Sequence, residues 1–439
     1  MSSPSSEPQP VTAEPTATGS GGLSRRKLFG AAGVTAAVVG AAATGALAGR
    51  SSAAVVDNGL TKPVPFRGTH QAGIVTAAQD RMHFATFDVT TDKKADVVAM
   101  LKKWTEMAER MTLGEEAVAH GAIGLNPYAP PADTGEALGL SPSALTLTIG
   151  FGPTFFRKDG KDRFGIDGQR PAHLVDLPKF RNEKLDPARC GGDIVVQACA
   201  NDPQVAVHAI RNLARVGFGT VAVRYSQLGF GRTSSTTLTQ STPRNLFGFK
   251  DGTNNLKAED TSAIDKHVWI ANGDGPAWMT GGSYLISRRI RMLIESWDRT
   301  VLAEQERVIG RQKGTGAPNG YTDEFTPLDF ESKGADGAPL IDVDSHVRLA
   351  SPEANNGAQI LRRGYNFTDG SDGFGHLDAG LFFIAFVRNP AESFIPMQRS
   401  LSDNDALNEY ITHTGSGIFA CPPGVRDGSS DYWGSTLLG

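Results

Sequence analysis

The clearest structural pattern lies at residues 193–225, which spell DIVVQACANDPQVAVHAIRNLARVGFGTVAVRY. The apolar run at 193–200 has the length and composition of a buried strand. Asp202 and Pro203 are typical of a helix start, because aspartate accepts hydrogen bonds from the first turn and proline fits there. The helix is predicted to end near Val216, and residues 219–225 return to a strand pattern. The segment therefore predicts a strand, a helix and a second strand.

Upstream elements complete this pattern. HFATFDVT at 83–90 alternates as a strand does, and LTLTIGF at 145–151 predicts another strand. Between them, residues 94–111 predict an amphipathic helix. Its apolar face carries Val97, Met100, Leu101, Trp104, Met107 and Met111. The order β-α-β-β-α-β is the ferredoxin-like arrangement.

The C-terminal part of the chain predicts a second unit of the same kind. Its elements are strands at 283–294, 380–387 and 416–421, helices at about 298–309 and 391–413, and a short extended piece at 345–350. We therefore predict an α+β fold of two ferredoxin-like (βαββαβ) halves, at residues 60–235 and 236–439, whose antiparallel sheets pack together.

The first 54 residues predict a disordered leader followed by a signal peptide. Residues 1–22 are rich in Ser, Pro, Thr, Ala and Gly and lack an apolar period. Ser24-Arg25-Arg26-Lys27-Leu28-Phe29 then precedes an apolar stretch that ends Ala46-Leu47-Ala48. The paired arginines indicate the twin-arginine translocase, and hence a periplasmic, cell-surface or extracellular protein. Retention as a membrane anchor is the alternative, although an Ala- and Gly-rich stretch makes a poor span, so no stable span is expected.

Composition excludes several classes of protein. The 43 Lys and Arg against 47 Asp and Glu give a net charge of −4, which argues against nucleic acid as a partner. The three cysteines, Cys190, Cys199 and Cys421, are too few for a disulfide framework, and whether any two pair stays open. The sequence contains no CxxCH, HExxH, GxSxG or Walker motif, so it supports neither a covalently attached haem, a catalytic zinc, a hydrolase elbow nor a P-loop.

Three segments could carry chemistry. PRNLFGFKDGTNN at 243–255 sets Asp251 among glycines that let the backbone approach a flat ligand, although the local pattern alone favours an ordinary Asp-Gly turn. DSHVRLASP at 344–352 contains His346, which alone would pass for a structural histidine. QILRRGY at 359–365 carries Arg362, which alone would pass for part of a solvated basic pair.

Together, and in this order, the three segments resemble the dye-decolourising peroxidases, which are haem enzymes built on two ferredoxin-like halves. Residues 248–252 match the family's G-x-x-D-G motif. Further similarity lies at GGD (191–193), SQLGF (226–230), GRQK (310–313) and GSGIF (415–419). The resemblance spans about 65–425. With the leader, it is most similar to the exported branch that includes the deferrochelatase/peroxidases.

The resemblance implies an exported haem b peroxidase with its pocket in the C-terminal half. Such an enzyme reduces hydrogen peroxide through a ferryl compound I and oxidises dyes, phenolic or metal donors. A deferrochelatase that releases iron from haem, and a non-enzymatic haem or iron carrier, are the alternatives; an intact Asp251 and Arg362 pair argues against a carrier. Family members vary in oligomeric state, so that state stays open.

The resemblance also assigns roles to residues. His346 would bind the haem iron, and Asp405 is the candidate acceptor for its other ring N–H, although a helix cap explains Asp405 equally well. Asp251 would transfer protons and Arg362 would stabilise negative charge; the sequence does not rank them. Aspartate has a reference pKa near 3.9, which predicts an acidic activity optimum. The remaining predicted haem contacts are Arg311, which would pair with a propionate, and Gly252, Thr253, Asn254, Ser351 and Pro352.

Large donors cannot enter a buried pocket, so the family commonly relays electrons to the surface through Tyr or Trp. The candidates here are Tyr365, Tyr410, Tyr432 and Trp433. Packing in the core is the alternative explanation for each of them.

Overall fold

The computed structural model describes residues 62–124, 126–428 and 430–439, so the predicted leader lies outside the described residues. Within those ranges, no helix is both long and apolar enough to cross a bilayer.

The N-terminal half has the predicted order of elements. They are β1 (Arg81–Val89), α1 (Lys94–Thr112), β2 (Thr146–Phe151), α2 (Pro153–Phe156), β3 (Arg157–Lys158), β4 (Lys161–Asp162), β5 (Ile194–Ala200), α3 (Pro203–Gly217) and β6 (Val221–Arg232). Helix α3 starts as predicted, because the Asp202 side chain accepts a hydrogen bond from the Gln204 backbone N–H at 2.7 Å. Strand β6 continues seven residues past the predicted end at Tyr225.

The C-terminal half is longer and less regular. Its elements are α4 (Thr261–His267), β7 (Ser283–Met292), α5 (Ile294–Trp297), α6 (Leu302–Ile309), α7 (His346–Leu349), β8 (Leu361–Arg362), β9 (Tyr365–Ser371), β10 (Leu377–Val387), α8 (Phe394–Asn404), β11 (Ile411–Cys421) and α9 (Ser435–Leu438).

The two halves share one sheet topology. The strand order is β6-β1-β5-β2 in the first half and β11-β7-β10-β9 in the second, and all neighbouring strands within each half are antiparallel. The sheets also join at both edges, through β2 with β11 and through β6 with β9. The α+β prediction of two ferredoxin-like halves is therefore confirmed, and their strands close into one hydrogen-bonded ring, with β8 paired to β10 beside β9.

Apolar side chains fill the space that the ring encloses. Phe84 of β1 meets Phe382 of β10 and Phe419 of β11, with ring centroids 4.9 and 6.4 Å apart. Helices α1 and α3 cover the outer face of the N-terminal sheet, where Trp104 packs 5.2 Å from Phe87. The outer face of the C-terminal sheet instead borders a cavity.

The prediction of an extended piece at 345–350 is wrong. Residues His346–Leu349 form one helical turn, closed by the Ala350 N–H donating to the His346 carbonyl at 3.0 Å. Six residues are too few to separate a strand from a turn by periodicity. The strand in this place of the topology is β9, whose YNFTDGS sequence has few apolar residues.

The prediction of one helix over 391–413 is also wrong. Helix α8 ends at Asn404, a short 3₁₀ turn follows over Ala406–Glu409, and β11 already begins at Ile411. Asp405 ends the α-helix because its side chain caps the 3₁₀ turn instead. The helix predicted over about 298–309 is shorter than expected, because α6 begins only at Leu302; the short helix α5 ends at Trp297, before the predicted start.

Candidate active site

All ten predicted site residues line one cavity. It holds about 1580 Å³ of empty space, including its open mouth. The predicted residues on its wall are Asp251, Gly252, Thr253, Asn254, Arg311, His346, Ser351, Pro352, Arg362 and Asp405. Much of the remaining wall is apolar, with Ile290 and Met292 from β7, Leu381 and Phe383 from β10, and Ile411 from β11.

His346 is held by Asp405. Its Nδ1 lies 2.7 Å from Asp405 Oδ2, and the carboxylate is almost fully buried, with 2% of its side chain exposed. Asp405 Oδ1 accepts a second hydrogen bond, at 2.8 Å, from the Leu407 backbone N–H. Asp405 therefore makes both contacts considered from the sequence: one oxygen caps the 3₁₀ turn and the other holds the imidazole.

The free side of His346 is available to a ligand. A carboxylate can only accept, so Nδ1 donates to Asp405, and Nε2 has no hydrogen-bond partner among the residues that the structure describes. Burial by itself would lower the pKa of His346, but the charge of Asp405 and its hydrogen bond more than offset burial, and the pKa is raised. Such a carboxylate fixes the ring orientation and makes the imidazole a stronger ligand.

Asp251 and Arg362 form an ion pair on the same cavity. Asp251 Oδ1 accepts from Arg362 Nη1 at 2.7 Å, and Asp251 Oδ2 accepts from Asn245 Nδ2 at 3.3 Å. The side chains are 14% and 26% exposed, so both groups are shielded yet reachable from the cavity. Arg363, the next residue, is fully buried and hydrogen-bonds Thr76 and Gln79.

The glycine after Asp251 is required by packing. Gly252 has φ +90°, and a Cβ there would lie 2.9 Å from the Ser234 Cα. Thr253 donates from its hydroxyl to Glu324 Oε1 at 3.0 Å, and the carboxylate also pairs with Lys250. Glu324 thus binds both flanks of Asp251. Asn254 lies exposed on the cavity wall.

Arg311 is a buried positive charge. The residue is 6% exposed, and its Nη1 donates to the carbonyls of Gly316 and Glu324 at 2.8 and 2.9 Å. It makes no ion pair with an acidic side chain anywhere in the described ranges, and burial lowers its pKa. A buried guanidinium that lacks a carboxylate partner is suited to a ligand that brings one.

Ser351 and Pro352 line the cavity beyond the His346 turn. Ser351 is buried, and its hydroxyl accepts from the Ala354 backbone N–H at 3.2 Å. Taken together, the wall offers the Nε2 of His346, a large apolar surface and the buried Arg311 cation. These are the contacts that haem needs for its iron, its porphyrin and a propionate, so the residues present fit haem.

Family models match almost the whole described chain. Residues 71–231 match the model described as Dyp-type peroxidase, N-terminal, and residues 242–426 match Dyp-type peroxidase, C-terminal. The chain belongs to the Dyp-type peroxidase family. It is therefore an oxidoreductase of the haem-dependent, dye-decolourising type, as the motifs predicted.

Known Dyp-type peroxidases and their relatives cover most of the chain. A dye-decolorizing peroxidase from Thermobifida fusca is 40% identical over 383 residues, covering 84% of this chain and 83% of the relative. A deferrochelatase from Escherichia coli is 38% identical over 379 residues, covering 85% and 87%. The structure of ferric DtpA from Streptomyces lividans has a TM-score of 0.78 at 38% identity and covers 86% and 98%.

Of the four predicted relay residues in this Dyp-type peroxidase, Tyr410 packs beside the cavity wall. Its ring lies 4.9 Å from that of Trp297, which stacks 4.4 Å from the cavity-lining Phe247. Tyr432 and Trp433 lie against α1 instead, and Tyr365 is buried inside the strand ring. Sequence reasoning overlooked Trp297, because nothing in its local pattern distinguishes it from a core tryptophan.

Sequence reasoning also overlooked Asn255 and Glu324. Both are buried polar residues whose side chains bind the segments that carry Arg362 and Asp251. Asn255 lies within the quoted GTNN sequence, where a turn explains it, and Glu324 lies in a long loop without any motif.

Proposed function

We propose that this Dyp-type peroxidase binds haem b, reduces hydrogen peroxide, and oxidises dyes, phenolic or metal donors after export by the twin-arginine translocase. The main observation in support is that the Asp251–Arg362 ion pair and the His346–Asp405 pair line the same cavity. Haem, when bound, supplies the redox chemistry by taking two oxidising equivalents from the peroxide and passing them to a donor.

Asp251 would move the proton. Cleavage of the O–O bond requires a proton to leave one peroxide oxygen and arrive on the other, so that water departs. A carboxylate on the cavity wall can accept that proton and return it, first as general base and then as general acid. Asn245 and Arg362 hold one carboxylate oxygen each, which keeps the group oriented toward that task.

Arg362 would stabilise charge. Its guanidinium stays protonated at every working pH and can donate to the oxygen on which negative charge develops. Its hydrogen bond to Asp251 Oδ1 also holds the carboxylate in place beside it.

His346 and Arg311 would hold the cofactor. His346 offers Nε2 to iron because Asp405 holds Nδ1, and Arg311 offers a buried positive charge to a propionate. The sequence has no CxxCH, which supports a non-covalent haem b.

Steady-state and rapid-mixing kinetics test this function. With haem loaded, hydrogen peroxide should change the optical spectrum within one turnover, and an organic donor should restore it. If the haem-loaded wild-type protein shows no spectral change with hydrogen peroxide, the proposal is overturned. Omitting peroxide, and adding haem alone without protein, are the controls.

Export rests on the leader sequence. Arg25 and Arg26 before an apolar stretch support the twin-arginine route and a periplasmic, cell-surface or extracellular location. Changing both arginines to lysine should keep the protein in the cytoplasm, still folded and haem-loaded. Unchanged export of that variant would contradict the route.

Iron release from haem is the second candidate, because the E. coli relative carries the name deferrochelatase. The same cavity would then hold haem as a substrate. Incubation with excess haem under anaerobic conditions distinguishes the two: a deferrochelatase accumulates iron-free porphyrin, identified by its fluorescence, whereas a peroxidase leaves the haem intact.

A further inference from the structure

Asn255 binds the backbone of Arg362 on both sides. Its Oδ1 accepts from the Arg362 N–H at 2.8 Å, and its Nδ2 donates to the Arg362 carbonyl at 2.9 Å. Nδ2 also donates to the Ser235 carbonyl at 3.1 Å. The side-chain amide therefore bonds to Arg362 in the way that a neighbouring strand would.

Asn255 also belongs to the loop that carries Asp251. Its backbone N–H donates to the Gly252 carbonyl at 3.1 Å, which closes the turn directly after Asp251. One compact turn thus presents the Asp251 carboxylate to the cavity and, four residues on, the amide that binds Arg362.

A third segment fixes this arrangement. Residues 233–236 extend β6 between the other two: the Thr233 N–H donates to the Gly364 carbonyl, and the Ala258 N–H donates to the Thr236 carbonyl. Gly252 packs against Ser234 too closely for any side chain. The turn therefore has little freedom to shift, and the reach of the Asn255 amide sets where Arg362 lies.

Burial makes the contact a strong constraint. Asn255 is 6% exposed, and its side chain makes three hydrogen bonds, all to backbone groups. Two of these bonds are to Arg362; the Ser235 carbonyl also accepts from Lys257 Nζ at 2.8 Å. Removing the amide takes this partner from the N–H and the carbonyl of Arg362, and a buried polar group left unpaired costs more than the net gain from forming its bond. Strand β8 is only two residues long and pairs with β10 at Ala385 and Phe386, so the two hydrogen bonds from Asn255 are a substantial share of the backbone contacts of Arg362.

We propose that Asn255 is a positioning residue that holds the Arg362 guanidinium at Asp251. The inference rests on the proposed roles of Asp251 and Arg362 in peroxide cleavage. Without the amide, β8 gains freedom and the guanidinium is no longer held at the carboxylate. Displacements of about 1 Å at reacting groups can cost on the order of 10²-fold in rate.

A double-mutant cycle tests the proposal. Asn255→Ala should bind haem yet react with hydrogen peroxide at least about tenfold more slowly than wild type. In the Arg362→Ala background the same change should add less than about twofold, because the residue that it positions is already missing. The ferric optical spectrum of Asn255→Ala should also shift toward that of Arg362→Ala.

Two further variants sharpen the result. Asn255→Asp keeps the acceptor for the Arg362 N–H but sets a carboxylate against two carbonyls, so it should slow the reaction at least as much as alanine. Asn212→Ala is the matched control. Asn212 is fully buried in α3, donates to Thr134 Oγ1 at 2.7 Å and does not line the cavity. Its replacement should leave the rate of reaction with peroxide unchanged.

The outcomes distinguish failure of the proposed role of Arg362 from failure of the positioning role of Asn255. If Arg362→Ala reacts at the wild-type rate, the proposed role of Arg362 fails. If Arg362→Ala is slow but Asn255→Ala is not, or if the two effects add fully, the positioning role is overturned. It is also overturned if neither Asn255 variant binds haem while Arg362→Ala does, because the amide would then support the pocket as a whole.

Discussion

Asp251 and Arg362 are 111 positions apart in the sequence, and their side chains meet at 2.7 Å on one cavity wall. Neither residue is distinctive alone: one follows a lysine in a glycine-rich turn, and the other is half of an arginine pair. Their contact brings a carboxylate and a permanent cation to the same cavity as His346, whose Nε2 has no hydrogen-bond partner in the part of the chain that the structure describes. That combination is what heterolytic cleavage of a peroxide requires of a protein.

Replacing Asp251 with alanine should slow the reaction with peroxide at least tenfold while haem binding survives. General acid–base help is typically worth about 10²–10⁴-fold, and Asp251 is the carboxylate paired with Arg362. Rapid mixing with hydrogen peroxide measures the rate. Asp372→Asn, which removes a carboxylate from an ion pair with Arg291 away from the cavity lining, is the control. A haem-loaded Asp251→Ala that loses less than tenfold would refute the proton-transfer role.

Replacing Asp405 with asparagine should weaken haem binding by about 10–100-fold, the usual effect of removing a carboxylate behind a ligand histidine. Asparagine can still cap the turn, so the fold should survive. Haem transfer to an apoprotein acceptor measures the change. Asp260→Asn changes a residue that only caps α4, through a 3.0 Å contact to the Ala263 N–H, and should leave haem affinity as it was.

Replacing Arg311 with glutamine should speed haem loss. Hydrogen bonds between charged partners are worth about 1.5–3 kcal/mol, so dissociation should accelerate by roughly 10–100-fold. Arg157→Gln serves as the control, because Arg157 pairs with Asp167 at an exposed site in the N-terminal half. An unchanged dissociation rate for Arg311→Gln would show that no propionate binds there.

Tyr410→Phe should slow the oxidation of bulky dyes more than that of small phenols. The Tyr410 ring reaches the cavity-lining Phe247 through Trp297, and its hydroxyl lies 3.4 Å from the Thr300 hydroxyl. Small donors that enter the cavity do not need this route. Tyr432→Phe is the matched control, and equal losses for both classes of donor would argue against a relay.

Stability should fall toward acid pH because of His83. Burial lowers its pKa to about 4, and its buried Nδ1 has no hydrogen-bond partner among the described residues. Between pH 6.5 and about 4 the unfolded chain binds the extra proton, so the free energy of unfolding decreases by up to about 1.4 kcal/mol per pH unit as pH falls; above pH 6.5 this contribution is constant. Urea unfolding of His83→Gln at pH 7, 6 and 5 should give a flatter dependence. A pH dependence that is the same in His83→Gln and in the wild-type protein would contradict this account.

The N-terminal half could be predicted almost element by element, because its strands are apolar runs and its helices α1 and α3 each carry a long apolar face. Strand β9 could not be predicted, because its YNFTDGS sequence is half polar. It becomes a strand by pairing with β10. Tertiary pairing there outweighs local propensity.

The candidate site, too, could be predicted from the sequence only in part. His346, Asp251 and Arg362 stand in recognisable motifs, and their predicted neighbours all line the cavity. Asn255 could not be assigned, because its partner Arg362 is 107 positions away and contributes only backbone groups. A side chain that binds only backbone groups does not require a particular residue type in its partner, so such a contact cannot be recognised from the sequence.

The most direct test of the haem peroxidase assignment is an optical spectrum of the purified, haem-loaded protein before and after one equivalent of hydrogen peroxide. We predict a ferric Soret band that changes within one turnover, returns when a donor is added, and is absent from His346→Ala. A stable Soret band that does not respond to peroxide, or one that survives in His346→Ala, would contradict it.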